Sequence, residues 1–82
     1  IKGEQAEVIE AVALETSDIV GKPLRDISFP KGAMVAGIIH EEMIIVPTGD
    51  SVIQPDDRVI IFARKEAISK IEKILAVKLE YF

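Results

Sequence analysis

Residues 34–39, 43–46 and 59–62 are nearly unbroken runs of apolar side chains. A strand with one solvated face alternates apolar and polar residues, because successive side chains point to opposite sides of the sheet. These runs do not alternate, so a sheet built from them is apolar on both faces. To cover it the chain offers one substantial helical segment, residues 65–75, where Ile68, Ile71 and Leu75 recur at helical spacing on one face. About eleven helical residues make a rod of roughly 16 Å, enough for one sheet face and not for two. Apolar patches beyond a few hundred Å² usually mark an interface or a ligand surface. The chain is therefore expected to self-associate or to pack on the rest of a parent chain. The alternative is a barrel-like curl that hides both faces unaided.

The other elements follow from local chemistry. Residues 6–14 carry Val8, Val12 and Leu14 at period two, with Glu7 opposing them. Glu10 interrupts that apolar face and suggests a partly exposed or edge strand. Thr16-Ser17-Asp18 supplies a turn. Pro23 suits the first position of a short helix, where its missing N–H costs nothing, and Leu24 and Ile27 give that helix one apolar edge. Phe29-Pro30-Lys31-Gly32 ends it. Residues 33–39 and 43–47, joined through His40-Glu41-Glu42, predict an antiparallel hairpin that lacks the usual Asn-Gly or Asp-Gly turn. Gly37 within the first of these strands suggests a bulge or a close backbone approach, and Pro47 should close the second. Residues 48–57 are turn-rich and 58–63 form a further strand. In the last helix Glu66 and Lys70 stand at i, i+4. The expected order is β-α-β-β-β-α: one small α+β (α/β) domain over residues 1–82, its mostly antiparallel sheet covered by the C-terminal helix. A first residue of Ile1 rather than Met reads as a piece of a longer chain.

Composition removes several function classes. There is no cysteine, which excludes disulfides, thiol catalysis and Cys-based zinc sites, and a single histidine excludes polyhistidine metal centres. A net charge of −4 argues against general nucleic-acid affinity. The acidic excess lies in residues 1–62 and the basic excess in 63–82, which reads as a solvated basic helix face. No run is long and apolar enough to span a bilayer as a helix, and no secretory signal is present. Ser17, Asp18 and His40 are the residue types of a serine triad, but no serine sits in a nucleophile-elbow sequence. His40-Glu41-Glu42 reads as a solvated turn rather than a metal site, since three consecutive residues cannot all face one point in a strand. Asp50, Asp56 and Asp57 lack calcium-loop spacing and read as turn formers. The glycines form neither a dinucleotide fingerprint nor a Walker A loop. No catalytic residue, metal ligand or resident cofactor is expected. The chemistry points to a binding or regulatory module rather than an enzyme.

Three longer stretches resemble a known family. They are Ser17-Asp18-Ile19-Val20-Gly21-Lys22-Pro23-Leu24-Arg25-Asp26, then Phe29-Pro30-Lys31-Gly32-Ala33, then Ile44 through Val59 with its Ile-Val-Pro-Thr-Gly-Asp and Gln-Pro-Asp-Asp-Arg-Val segments. Together they resemble the TrkA C-terminal (RCK C-terminal) domain over residues 6–75, nearly the whole chain, and the β-α-β-β-β-α order agrees with that fold. The resemblance implies a dimeric cytoplasmic regulatory domain of a potassium (cation) transport system. Such a domain lies at the inner face of the membrane through a transporter or channel subunit, and couples effector binding to gating. It also leaves open an oligomerisation or effector-binding module of another transporter or of a transcription regulator. NAD or ATP would belong to an N-terminal Rossmann domain that is not in this chain. Some members bind cyclic di-AMP in the dimer cleft, which maps here onto Ile38, Ile39, His40, Ile44, Ile45 and Pro47. Where those members tend to carry arginine or asparagine, this hairpin has His40 beside Glu41 and Glu42, whose carboxylates would repel a diphosphate. On the residues alone, the same isoleucines read as sheet core and dimer contact.

Overall fold

The computed structural model describes residues 5–75 and 80–81. Its elements are β1 (Ala6–Val12), β2 (Ala33–His40), β3 (Met43–Ile45), β4 (Arg58–Arg64), α1 (Ile68–Leu75) and β5 (Glu80–Tyr81). One-turn 3₁₀ segments stand at Leu24–Asp26 and Lys65–Ala67. The strands form one antiparallel sheet in the order β3-β2-β4-β1-β5. The expected order is therefore present, with one addition: β5 pairs with Ile9 and Glu10, so β1 is not the edge strand that Glu10 suggested.

One face of the sheet forms the core. Ile9 and Ala11 of β1, Val35 and Ile38 of β2, and Val59, Ile61 and Ala63 of β4 cluster with Ile71 and Leu75 of α1. Ile19 and Ile53 complete the cluster from the two long connections, which touch each other at Val20 and Ile53 and at Pro23 and Val52. Ser17 ties the first connection to the helix end: its buried hydroxyl donates to the Ile74 carbonyl (3.3 Å) and accepts the Ile19 N–H (3.3 Å).

The parity of β1 is the reverse of the expectation. Ile9, Ala11 and Ala13 are buried, whereas Val12 and Leu14 are 46% and 38% exposed. Each parity of this segment carries one glutamate. Glu10 sits mid-strand, where a core could not hold it, and on the outer face it pairs with Arg58 across the strands at 3.6 Å. Glu7 lies near the strand start opposite Ala63. The mid-strand charge decides which face turns outward.

Gly37 marks a bulge, as expected: pairing with β4 shifts between Val35 and Gly37. The extra residue lets Val35 and Ile38, three apart, both point into the core. The β2–β3 hairpin also forms. Its two turn residues, Glu41 and Glu42, have φ of 46° and 69°, the double left-handed geometry of a type I′ turn. Side chains with a Cβ are strained there. Replacing Glu41-Glu42 by Asn-Gly is expected to raise stability by about 1–2 kcal/mol, read as a higher denaturant midpoint at unchanged slope. The 3₁₀ turn after Pro23 matches expectation, whereas β3 ends at Ile45, two residues short of the Pro47 expected to close it. Glu66 instead pairs with Arg64 (3.3 Å) rather than with Lys70.

The eight residues of α1 span about 12 Å and cover one face. The other face carries Met34, Ile44 and Phe62 at 58%, 77% and 43% exposure. Among the described residues nothing lies over it, and the sheet does not close into a barrel, since β3 and β5 remain at opposite ends.

Candidate functional site

The six hairpin positions divide between the two faces of the sheet. Register pairs Ile38 with Ile45, Ile39 with Ile44, and His40 with Met43. Ile39 and Ile44 lie on the uncovered face. Ile38 is 0% exposed and belongs to the core, so in this conformation it offers no surface to a ligand. Ile45 lies at the edge with 37% exposure. Pro47 borders an open cleft of about 410 Å³, together with Leu24, Ile27, Phe29 and Met34, the last of which also belongs to the uncovered face.

Sequence reading missed this cleft. In the sequence Leu24 and Ile27 read as the apolar edge of a short helix and Phe29 as part of the segment that ends it. The available signal is an excess: three large apolar side chains within six residues exceed what one 3₁₀ turn can bury. All three are only partly buried against the core cluster. Arg25 stands at the cleft mouth, ion-paired with Asp50. The turn that presents Asp50 is closed by Ser51 N–H to the Thr48 carbonyl (3.1 Å) and by Thr48 N–H to the Ser51 hydroxyl (2.9 Å). The cleft thus joins apolar walls to the Arg25–Asp50 ion pair at its rim.

His40 faces the core side at the hairpin tip. Its Nδ1 lies 2.5 Å from Asp57 Oδ1 and its Nε2 lies 3.3 Å from Glu41 Oε2. Asp57 is buried, at 3% exposure, and its other oxygen accepts the Gln54 N–H at 2.9 Å. The turn Gln54-Pro55-Asp56-Asp57 places Asp56 at φ 72° and closes with Asp57 N–H donating to the Gln54 carbonyl at 3.1 Å. That turn is sewn to the end of β1: Ala13 N–H donates to the Asp57 carbonyl and Asp56 N–H to the Ala13 carbonyl, both at 2.8 Å. The hydrogen bond that the ring donates to Asp57 raises the His40 pKa above its ordinary 6.5; burial opposes the rise, and the charges of Asp57 and Glu41 add to it. Ser17 is occupied at the end of α1 and His40 has Asp57 rather than Asp18 as its acid, so the triad types do not assemble.

The family model for the TrkA-C domain matches residues 8–76. Among curated relatives, the Trk system potassium uptake protein TrkA homolog 2 of Methanosarcina mazei is 50% identical over 90% of this chain. The Trk system potassium uptake protein TrkA of Azorhizobium caulinodans is 43% identical over 93% of it. The chain spans only 16% and 17% of those two proteins. Among solved structures, an RCK domain with cda superimposes with a TM-score of 0.73 at 26% identity, covering 84% of this chain and 97% of that one. The RCK_C domain dimer of S. agalactiae BusR in complex with c-di-AMP gives a TM-score of 0.76 at 22% identity, covering 92% and 96%. BusR in complex with its busA-promotor DNA gives 0.76 at 22% identity, over 95% of this chain and 41% of that one. At 22% identity the BusR structures speak to the fold alone. The match across residues 8–76, with half of the aligned positions identical in a TrkA homolog, places this chain in the TrkA-C domain family.

Proposed function

We propose that this domain is a regulatory module of a potassium-uptake regulator, working as a pair of copies and passing the state of a bound effector to a membrane transporter or channel. The observation that carries this reading is the uncovered apolar sheet face. Its exposed Met34, Ile44 and Phe62 are flanked by Glu10 and Arg58, which neutralise each other and so permit burial against a second copy. A regulator needs coupled sites, and here the hairpin contributes to both: Ile39 and Ile44 to the open face, Pro47 to the cleft. The names of the TrkA relatives support potassium uptake as the process; the cytoplasmic side of the membrane is its place in this proposal. NAD or ATP would be held by a Rossmann domain elsewhere in a full regulator.

A second reading, left open by the family resemblance, is an oligomerisation module of a transcription regulator; BusR, whose fold this chain shares, is the solved example in complex with its promotor DNA. The net charge of −4 leaves nucleic-acid contact to another part of such a protein. Cyclic di-AMP is the effector to test. Calorimetric titration is expected to show saturable binding that Ile39→Asp abolishes and Pro47→Ala weakens. Binding indifferent to both substitutions would move the effector site off the hairpin.

A further inference from the structure

We infer that His40, Asp57 and Glu41 form a proton-operated clasp that holds the tip of the β2–β3 hairpin against the body of the domain. Both nitrogens of the ring face carboxylate oxygens, at 2.5 Å and 3.3 Å. A neutral imidazole has one N–H, so it can satisfy one of these contacts and must aim a lone pair at the other. The imidazolium donates to both. The arrangement therefore fits the charged ring.

The clasp spans a joint in the sheet. Pairing between β2 and β4 ends at Ile39 and Arg58. His40 is the next residue outward on one strand, and Asp57 is the next on the other. Beyond that point the hairpin continues alone, because β3 is a three-residue edge strand paired only with β2. Asp57 is a fixed anchor: it is buried, takes the Gln54 N–H, and its backbone is bonded to Ala13. Glu41, in contrast, is exposed and occupies a strained left-handed position, which brings its carboxylate back to the ring. Among the described residues no cation competes for these carboxylates. Arg58 turns to the opposite face and pairs with Glu10, while Glu42 and Asp56 are exposed and form no ion pair with the ring.

The sign of the pH effect follows from the direction of the shift. The folded pKa of His40 lies above the ordinary 6.5, so the stability that the ring's charge adds is fully present below about 6.5 and is lost as pH rises through the folded value. Above that value a neutral ring keeps at most one of the two contacts, so the hold on the hairpin tip, which carries the exposed Met43 and Ile44, weakens. This inference stands on the fold and not on the identity of any effector.

His40 is the one histidine of the chain, so its ring C–H resonances are unambiguous and nuclear magnetic resonance can follow them against pH. The midpoint is expected above 6.5 and should fall toward it in Glu41→Gln and in Asp57→Asn. Amide protection at residues 43–45, corrected for intrinsic exchange, is expected to drop as pH passes that midpoint. His40→Gln should remove the drop. A wild-type midpoint at or below 6.5 overturns the clasp, as does protection that stays constant through the titration. Should Asp57→Asn fail to fold, the exposed Glu41→Gln decides alone, and an unmoved midpoint in that variant rejects the role of Glu41.

Discussion

Ile61→Ala is expected to cost about 2–5 kcal/mol, the range for truncating a buried isoleucine to alanine where the surroundings collapse only partly. Ile61 is 0% exposed and lies on β4, the middle strand, with Ile9 opposite it on one side and Val35 on the other. Its side chain has core neighbours from three strands, so the lost atoms leave a cavity that no single neighbour can fill. A domain of this length has a total stability of roughly 4–12 kcal/mol. Each kcal/mol shifts the melting temperature by about 4–8 °C at this size. A fall of about eight degrees or more in a calorimetric scan is therefore expected. A change below about 1 kcal/mol would mean that the sheet is packed far more loosely than these burial values imply.

Phe62→Asp, one position along, should do the opposite. Phe62 points to the uncovered face, 43% exposed, beside Val8 on β1 and Met34 on β2. Losing an exposed ring leaves no cavity in the monomer, and the folded baseline should survive. In a pair of copies the same ring would lie within the contact. Truncating a central aromatic commonly costs 2 kcal/mol or more there, and a buried, unpaired carboxylate adds to that. At about 1.4 kcal/mol per factor of ten, the dissociation constant should rise at least about thirtyfold. Sedimentation at tens of micromolar is expected to show wild-type dimer or higher assemblies and variant monomer. A folded wild-type monomer at that concentration would remove the pairing surface from the proposed function.

The hairpin, the last helix and the unsatisfied sheet face were legible because each rests on a period or a covering ratio that the residues state directly. The parity of β1 was not. Both of its faces are apolar with one glutamate apiece, and the choice depends on Arg58, a residue 48 positions after Glu10 that meets it only once β1 and β4 pair. The bulge was signalled by Gly37, yet its effect on which side chains turn inward needed the register against β4. The clasp was hidden for a similar reason. Asp57 reads as one turn aspartate among several, and nothing local tells it from Asp56, which is exposed. Only the end of β2–β4 pairing sets it beside His40. The cleft was lost because partial burial of Leu24, Ile27 and Phe29 is a tertiary fact.

The position of β4 has a consequence for how the molecule is made. β1 and β2 follow each other in sequence yet share no ladder; each pairs with β4, which lies between them in the sheet and comes late in the chain. A nascent chain that has emerged only to residue 57 holds a hairpin and a solitary strand with nothing to align them. The sheet closes when residues 58–64 arrive, through contacts distant in sequence. Loop-closure entropy then sets a slow rate relative to helical domains of the same length. Until that moment the apolar residues of the core and of the uncovered face are equally open, so association that begins before β4 has docked would join the wrong faces.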